Sequence, residues 1–166
     1  SGKYVGLPDG VMGNSEVGHK SMGAGRIIKQ DLVRINDSIE SNELQNNANL
    51  RETFQYVKTR NSKLHILGLL SDGGVHSQID HFDYILKVAR EFGIKNIALH
   101  PITDGRDTAP KSALGFIKYI QSKIKNDIGF KIATVCGRYY AMDRDSRWDR
   151  IEKAYHVLVR GVGEHY

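Results

Sequence analysis

Asn14-Ser15-Glu16-Val17-Gly18-His19 sets a hydroxyl among small residues at a helix-like start, which is how a chain presents a side chain to a phosphate. Taken alone, Ser15 reads as a turn residue or an N-cap, the ordinary fate of a serine near glycine. Its company changes the weight. Ser71-Asp72-Gly73-Gly74-Val75-His76, Thr103-Asp104-Gly105-Arg106-Asp107 and Gly137-Arg138-Tyr139-Tyr140-Ala141-Met142-Asp143-Arg144-Asp145 each follow directly on an apolar, strand-like run.

Arginine offers a planar, permanently charged fork that matches phosphate or carboxylate oxygens in pairs. Arg106, Arg138 and Arg144 gathered at one crevice would suit a doubly anionic ligand. His76 is a phosphate ligand or a proton shuttle near neutral pH, against the plain alternative of a helix-start residue. Asp107, beside Arg106, is an ion-paired loop carboxylate or, among cations, a group that exchanges protons with a substrate hydroxyl. Asp72-Gly73-Gly74 permits close backbone approach to a ligand, or simply turns. His19 lies one helical turn from Ser15, but a single histidine makes no metal site. His65, inside a strand-like run, and His100, at the end of another, read as structural. Neither a Walker loop nor a GxGxxG opening a helix occurs, so nucleotide binding lacks its usual signal.

These residues need elements to position them. Apolar runs at 64–70, 97–102 and 131–136 read as strands. Apolar residues at the 3.6-residue helical period mark 79–92, with Gly93 ending the helix, and helices are also expected at 112–124 and 148–159. Ahead of them, 3–7 reads as a short strand, and 14–24, 29–40 and 49–58 as helices. Strand-then-helix repetition predicts an α/β fold: a parallel sheet with crossover helices on its faces and ligands bound beyond the carboxyl ends of the strands. His76, Arg106, Asp107, Arg138 and Arg144 all fall just past a strand end, a placement scattered surface charge has no reason to obey.

A length of 166 residues with 40% hydrophobic and 26% charged suits a soluble globular chain. No apolar run approaches membrane length and no leader or lipidation signal is evident, so the expectation is cytoplasmic, with no membrane partner. The net charge of +5 comes from lysines spread over helical segments rather than from a basic stripe interleaved with aromatics. That favours a small anionic metabolite and no nucleic acid. The single cysteine, Cys136, reads as a buried strand position rather than a reactive thiol.

The strings VGLPDGVMGNSEVGH, GAGRI, LLSDGGVHS, DGRDTAP and GRYYAMDRDSRWDR, in this order, closely resemble the cofactor-independent phosphoglycerate mutases, a metal-dependent class of the alkaline-phosphatase-like superfamily. The departures are small: Lys20-Ser21-Met22 where the family often has Leu-Asn-Ile, Gln78 where histidine is common, and Ala109 where proline is usual. The resemblance implies an isomerase of glycolysis that interconverts 3-phosphoglycerate and 2-phosphoglycerate through a phosphoserine, without 2,3-bisphosphoglycerate. It implies that Ser15 is the nucleophile and a ligand of Mn2+, one of two divalent metals. His76, Arg106, Asp107, Arg138 and Arg144 would line the substrate pocket, with Asp107 a candidate proton shuttle. Family members are much longer than this chain, and their first metal-binding aspartate, downstream Asp and His ligands, catalytic lysine and later arginine pair have no counterpart in it. The expectation is a fragment, residues 1–25 from the phosphatase-like domain and 26–166 from the phosphotransferase domain, of a parent that is a monomer. By itself it would be inactive; the alternative is a catalytically silent module that binds phosphoglycerate or phosphate.

Overall fold

Leu64–Leu70, apolar almost throughout as strands of parallel sheets are, forms β1. The computed structural model describes residues 2–11 and 13–164; Ser1, Met12, His165 and Tyr166, which fall within the two expected segments, lie outside the described residues. From β1 the chain alternates: α4 (Ile79–Glu91), β2 (Ile97–Thr103), α5 (Ala113–Ile124), β3 (Phe130–Ile132) and β4 (Cys136–Gly137). Ahead of β1 come α1 (Ser15–Ala24), α2 (Asp31–Glu40) and α3 (Ala48–Thr59); after β4 come α6 (Arg138–Ala141) and α7 (Trp148–Tyr155). The described strands make one parallel sheet in the order β1-β2-β3, with β4 also beside β2. The α/β architecture is therefore the one expected.

Strands laid down in chain order by right-handed crossovers put every connecting helix on the same side. The crossover helices accordingly collect on one face of the sheet. Leu64, Leu70, Ile97, Leu99 and Phe130 on that face pack with Phe54 and Val57 of α3, Leu86 and Val88 of α4, and Ile120 and Ile124 of α5. Alternation along the strands and the Leu64↔Ile97 register place His65, Leu67, Leu69, Ala98 and His100 on the opposite face.

Three local expectations are corrected. Residues 3–7 are not a strand: Gly2–Val5 is a 3₁₀ turn, with the Gly6 amide donating to the Lys3 carbonyl at 3.2 Å. Gly6 has φ +80°, and a Cβ there would stand 1.9 Å from the Ile28 carbonyl oxygen, so the chain turns where only glycine fits. The third strand is split, with residues 133–135 leaving the ladder between β3 and β4 opposite Pro101, which has no N–H to offer. The last helix is α-helical only to Tyr155 and continues as a π-helical segment, His156–Arg160, which Gly161 ends with φ +62°. Cys136 is in a strand but half-buried, and burial pushes its thiol pKa up, away from reactivity.

Candidate functional site

The loops leaving β1 and β2 and the segment leaving β4 meet in one open cleft of about 590 Å³, large enough for a small metabolite. It lies beyond the carboxyl ends of the strands, where sheets of this kind take their ligands. His76 comes from the first loop, Arg106 and Asp107 from the second, and Arg138 and Arg144 from the third, all five lining the same hollow. Ser15 does not line it. Close packing of the first two loops depends on Gly73: a Cβ there would meet the Asp107 carbonyl oxygen at 2.9 Å and Asp107 Cβ at 3.1 Å.

The structure separates arginines that the sequence treats alike. Arg138 is already engaged, its Nη1 donating to Asp104 Oδ1 at 2.8 Å and to Asp107 Oδ2 at 2.5 Å, with only 12% of the side chain exposed. Arg106 and Arg144 are exposed, and neither guanidinium has a partner among the described residues. They are the cations free to receive an anion. Asp107 also faces His76, whose Nε2 lies 4.0 Å from Asp107 Oδ2. A carboxylate held between a guanidinium and an imidazole can orient both and relay a proton between a bound hydroxyl and the imidazole.

Sequence reasoning passed over the two aspartates that organise this site. Asp104, its side chain fully buried, accepts from Ser71 Oγ at 2.6 Å and from the Arg106 and Asp107 amides at 3.0 Å each, besides Arg138. Burial by itself would push its pKa up, but these donors outweigh burial and hold the carboxyl far below the ordinary carboxylate range. Asp143 accepts from the Arg147 amide at 2.9 Å, the Asp145 amide at 3.1 Å and Arg150 Nη1 at 3.2 Å, closing the loop that carries Arg144. The Arg147 amide is the main reason its pKa is lowered, and Arg150 also stacks on the Tyr139 ring at 3.8 Å. The available signal was an aspartate followed two to four residues later by amides it could accept from, the Asx-turn pattern.

The Asp104 shift has a sign. Its folded pKa lies below the ordinary 3.8, so its stabilisation is fully present above 3.8 and drains away as pH falls through the folded value. Acid titration of unfolding free energy should therefore show a loss of stability on the acid side of 3.8 that Asp104→Asn flattens. An unchanged acid limb in that variant would remove Asp104 as its source.

Ser15 opens α1, whose N-cap Asn14 accepts from the Val17 amide at 3.1 Å. The helix N-terminus favours negative charge on that first residue. Ser15 Oγ lies 3.1 Å from His19 Nδ1, but the same nitrogen is 2.7 Å from the Ser15 carbonyl oxygen, which can only accept. Nδ1 thus carries a proton and is not free to take one from the hydroxyl. Among the described residues no group of three or more His, Cys, Asp or Glu side chains is placed to hold a metal. The donors around Ser15 do not by themselves fit one.

The family described as BPG-independent PGAM N-terminus matches residues 35–166. The chain is 52% identical to the 2,3-bisphosphoglycerate-independent phosphoglycerate mutase of Listeria welshimeri, covering all of this chain and 32% of the relative. It is 54% identical to the protein of that name from Clostridioides difficile, over 99% of this chain and 32% of the relative. A crystal structure of Leishmania mexicana phosphoglycerate mutase at low cobalt concentration superposes with a TM-score of 0.89 at 37% identity, covering 99% of this chain and 31% of that one. The chain spans about a third of the length of these relatives. Matched over most of its length, it belongs to the BPG-independent phosphoglycerate mutase N-terminus family.

Proposed function

We propose that this chain supplies the substrate cleft and the nucleophilic serine of an enzyme that interconverts 3-phosphoglycerate and 2-phosphoglycerate. The carrying observation is the cleft itself: His76, Arg106, Asp107, Arg138 and Arg144 converge there, and two of the guanidiniums are unpartnered among the described residues. A phosphoglycerate presents a phosphate and a carboxylate, one for each free fork, and Arg138 holds Asp107 where it can serve a glycerate hydroxyl. Ser15 would take the phosphoryl group and return it to the other hydroxyl, the phosphoserine being stabilised by the amides that open α1. Mn2+ bound at Ser15 would lower the hydroxyl's pKa, but it needs further donors that the described residues do not supply, and no step above depends on it.

The family match begins at residue 35, and α1 buries only Val17, which supports treating residues 1–25 as a piece of a phosphatase-like domain and 26–166 as part of the phosphotransferase domain. On this reading the protein works in glycolysis in the cytoplasm on a small-molecule partner, with neither nucleic acid nor membrane involved, and its full-length parent is a monomer. Among the described residues, no helix is long and apolar enough to cross a membrane.

A silent phosphoglycerate- or phosphate-binding module is the second reading, favoured by the position of Ser15 outside the cleft lining. Titration calorimetry with 3-phosphoglycerate, paired with a mutase assay in manganese, addresses both. The chain alone should give heat without turnover, and Arg106→Ala with Arg144→Ala should weaken binding by at least about tenfold, the scale of losing charged hydrogen bonds. Undiminished binding in that double variant would defeat the cleft assignment. Turnover by a chain extended to the length of its relatives separates the enzyme from the silent module.

A further inference from the structure

Pro101 interrupts the ladder on the side of β2 that faces the third strand. The Leu99 carbonyl accepts from the Ala133 amide at 2.8 Å, and the Ile97 amide donates to the Gly129 carbonyl at 2.9 Å. Odd-numbered residues of β2 therefore turn their backbone groups toward β3 and β4, and Pro101 falls in that set without an N–H. Between Leu99 and Ile102, β2 passes through His100 and Pro101, whereas the facing chain takes Ala133, Thr134 and Val135 to go from Ile132 to Cys136. The third strand thus carries one extra residue at this point, a bulge.

Side chains bridge the gap that the backbone leaves. His100, 8% exposed, has Nδ1 at 2.8 Å from Thr134 Oγ1, and its Nε2 lies 2.9 Å from His65 Nδ1 on β1. The two imidazoles stack with centroids 5.1 Å apart. One chain of contacts thereby links β1, β2 and the bulge.

A one-residue slip turns every following side chain to the other face and displaces it by about 3.3 Å. With the bulge in place Gly137 pairs with Thr103, and the next residues, Arg138 and Asp104, meet at 2.8 Å. Without it Arg138 would stand one position further along and face away.

We propose that His100 and Thr134 are positioning residues for the cleft: by pinning the bulge opposite Pro101, they set the register that delivers Arg138 to Asp104 and Asp107. Neither residue lines the cleft, and both act through Arg138. The consequence for phosphoglycerate rests on the proposed function, whereas the register does not.

The test combines carboxyl NMR titration of Asp104 with calorimetry. In the wild-type chain the carboxyl stays ionised well below the ordinary range. Thr134→Val, close in shape but lacking the hydroxyl, and His100→Leu should each move that titration upward as Arg138 withdraws, and weaken 3-phosphoglycerate binding about tenfold. Thr134→Ser and His100→Asn, which keep a hydroxyl and a hydrogen-bonding group at the Nδ1 position, should match the wild type. An Asp104 titration unmoved in Thr134→Val overturns the proposal. So does a shift in His100→Asn as large as in His100→Leu, which would make the ring's packing the cause. Should Thr134→Val fail to fold, the two His100 variants decide. A wild-type chain that binds no 3-phosphoglycerate defeats the proposed function, while the Asp104 titration still reports the register.

Discussion

Arg138→Ala is expected to destabilise the fold by about 3–5 kcal/mol, the cost of removing one member of a buried ion pair and leaving the other uncompensated. Asp104 has no exposed side-chain surface and Asp107 has 17%, so water cannot replace the guanidinium that both now share. Arg138→Lys should recover part of the loss and no more, because one ammonium on a flexible stem does not reproduce a planar donor set held between two carboxylates. Urea unfolding of the two variants at neutral pH measures both numbers. Alanine and lysine variants within about 0.5 kcal/mol of the wild type would mean that the carboxylates find other partners, and Arg138 would lose its organising role. If the same lysine variant binds 3-phosphoglycerate as tightly as the parent, the guanidinium makes no paired contact with the ligand.

Ser15→Ala, placed in a protein extended to the length of its relatives, should cut phosphoryl transfer by on the order of a thousandfold or more, the scale seen when a covalent nucleophile is removed. Binding of 3-phosphoglycerate should change by no more than about twofold, since Ser15 is exposed and outside the cleft lining. Steady-state turnover together with calorimetry distinguishes loss of chemistry from loss of binding. Retained turnover would take Ser15 out of the mechanism. A parallel collapse of affinity would mean that the serine contacts the substrate from a position this chain alone does not display.

The elements that place the cleft were legible because their signals are local. An unbroken apolar stretch at Leu64–Leu70 and helical periodicity from Ile79 to Glu91 depend only on neighbours in the chain. The order of strand, glycine-bearing loop and helix was enough to predict that His76, Arg106, Asp107, Arg138 and Arg144 would face one hollow, since parallel sheets open their crevice at the carboxyl ends. At the amino end the same reasoning misread residues 3–7, where the chain turns at Gly6 with φ +80° and lies so close to the Ile28 carbonyl, from a segment more than twenty residues on, that no side chain fits.

What the sequence determined by itself was the α/β class, the sites where loops emerge and the residue types those loops carry. Tertiary structure decided how the charges divide: Arg138 is taken up by Asp104 and Asp107, Arg150 by Asp143, and the Arg106 and Arg144 guanidiniums have no partner among the described residues. It also decided the break in the third strand, because a missing N–H at Pro101 matters only to the strand that lies beside it. Pattern within a chain follows from covalent order, whereas charge pairing and register depend on which segments come within about 4 Å of each other, and that is settled only when the chain has closed on itself.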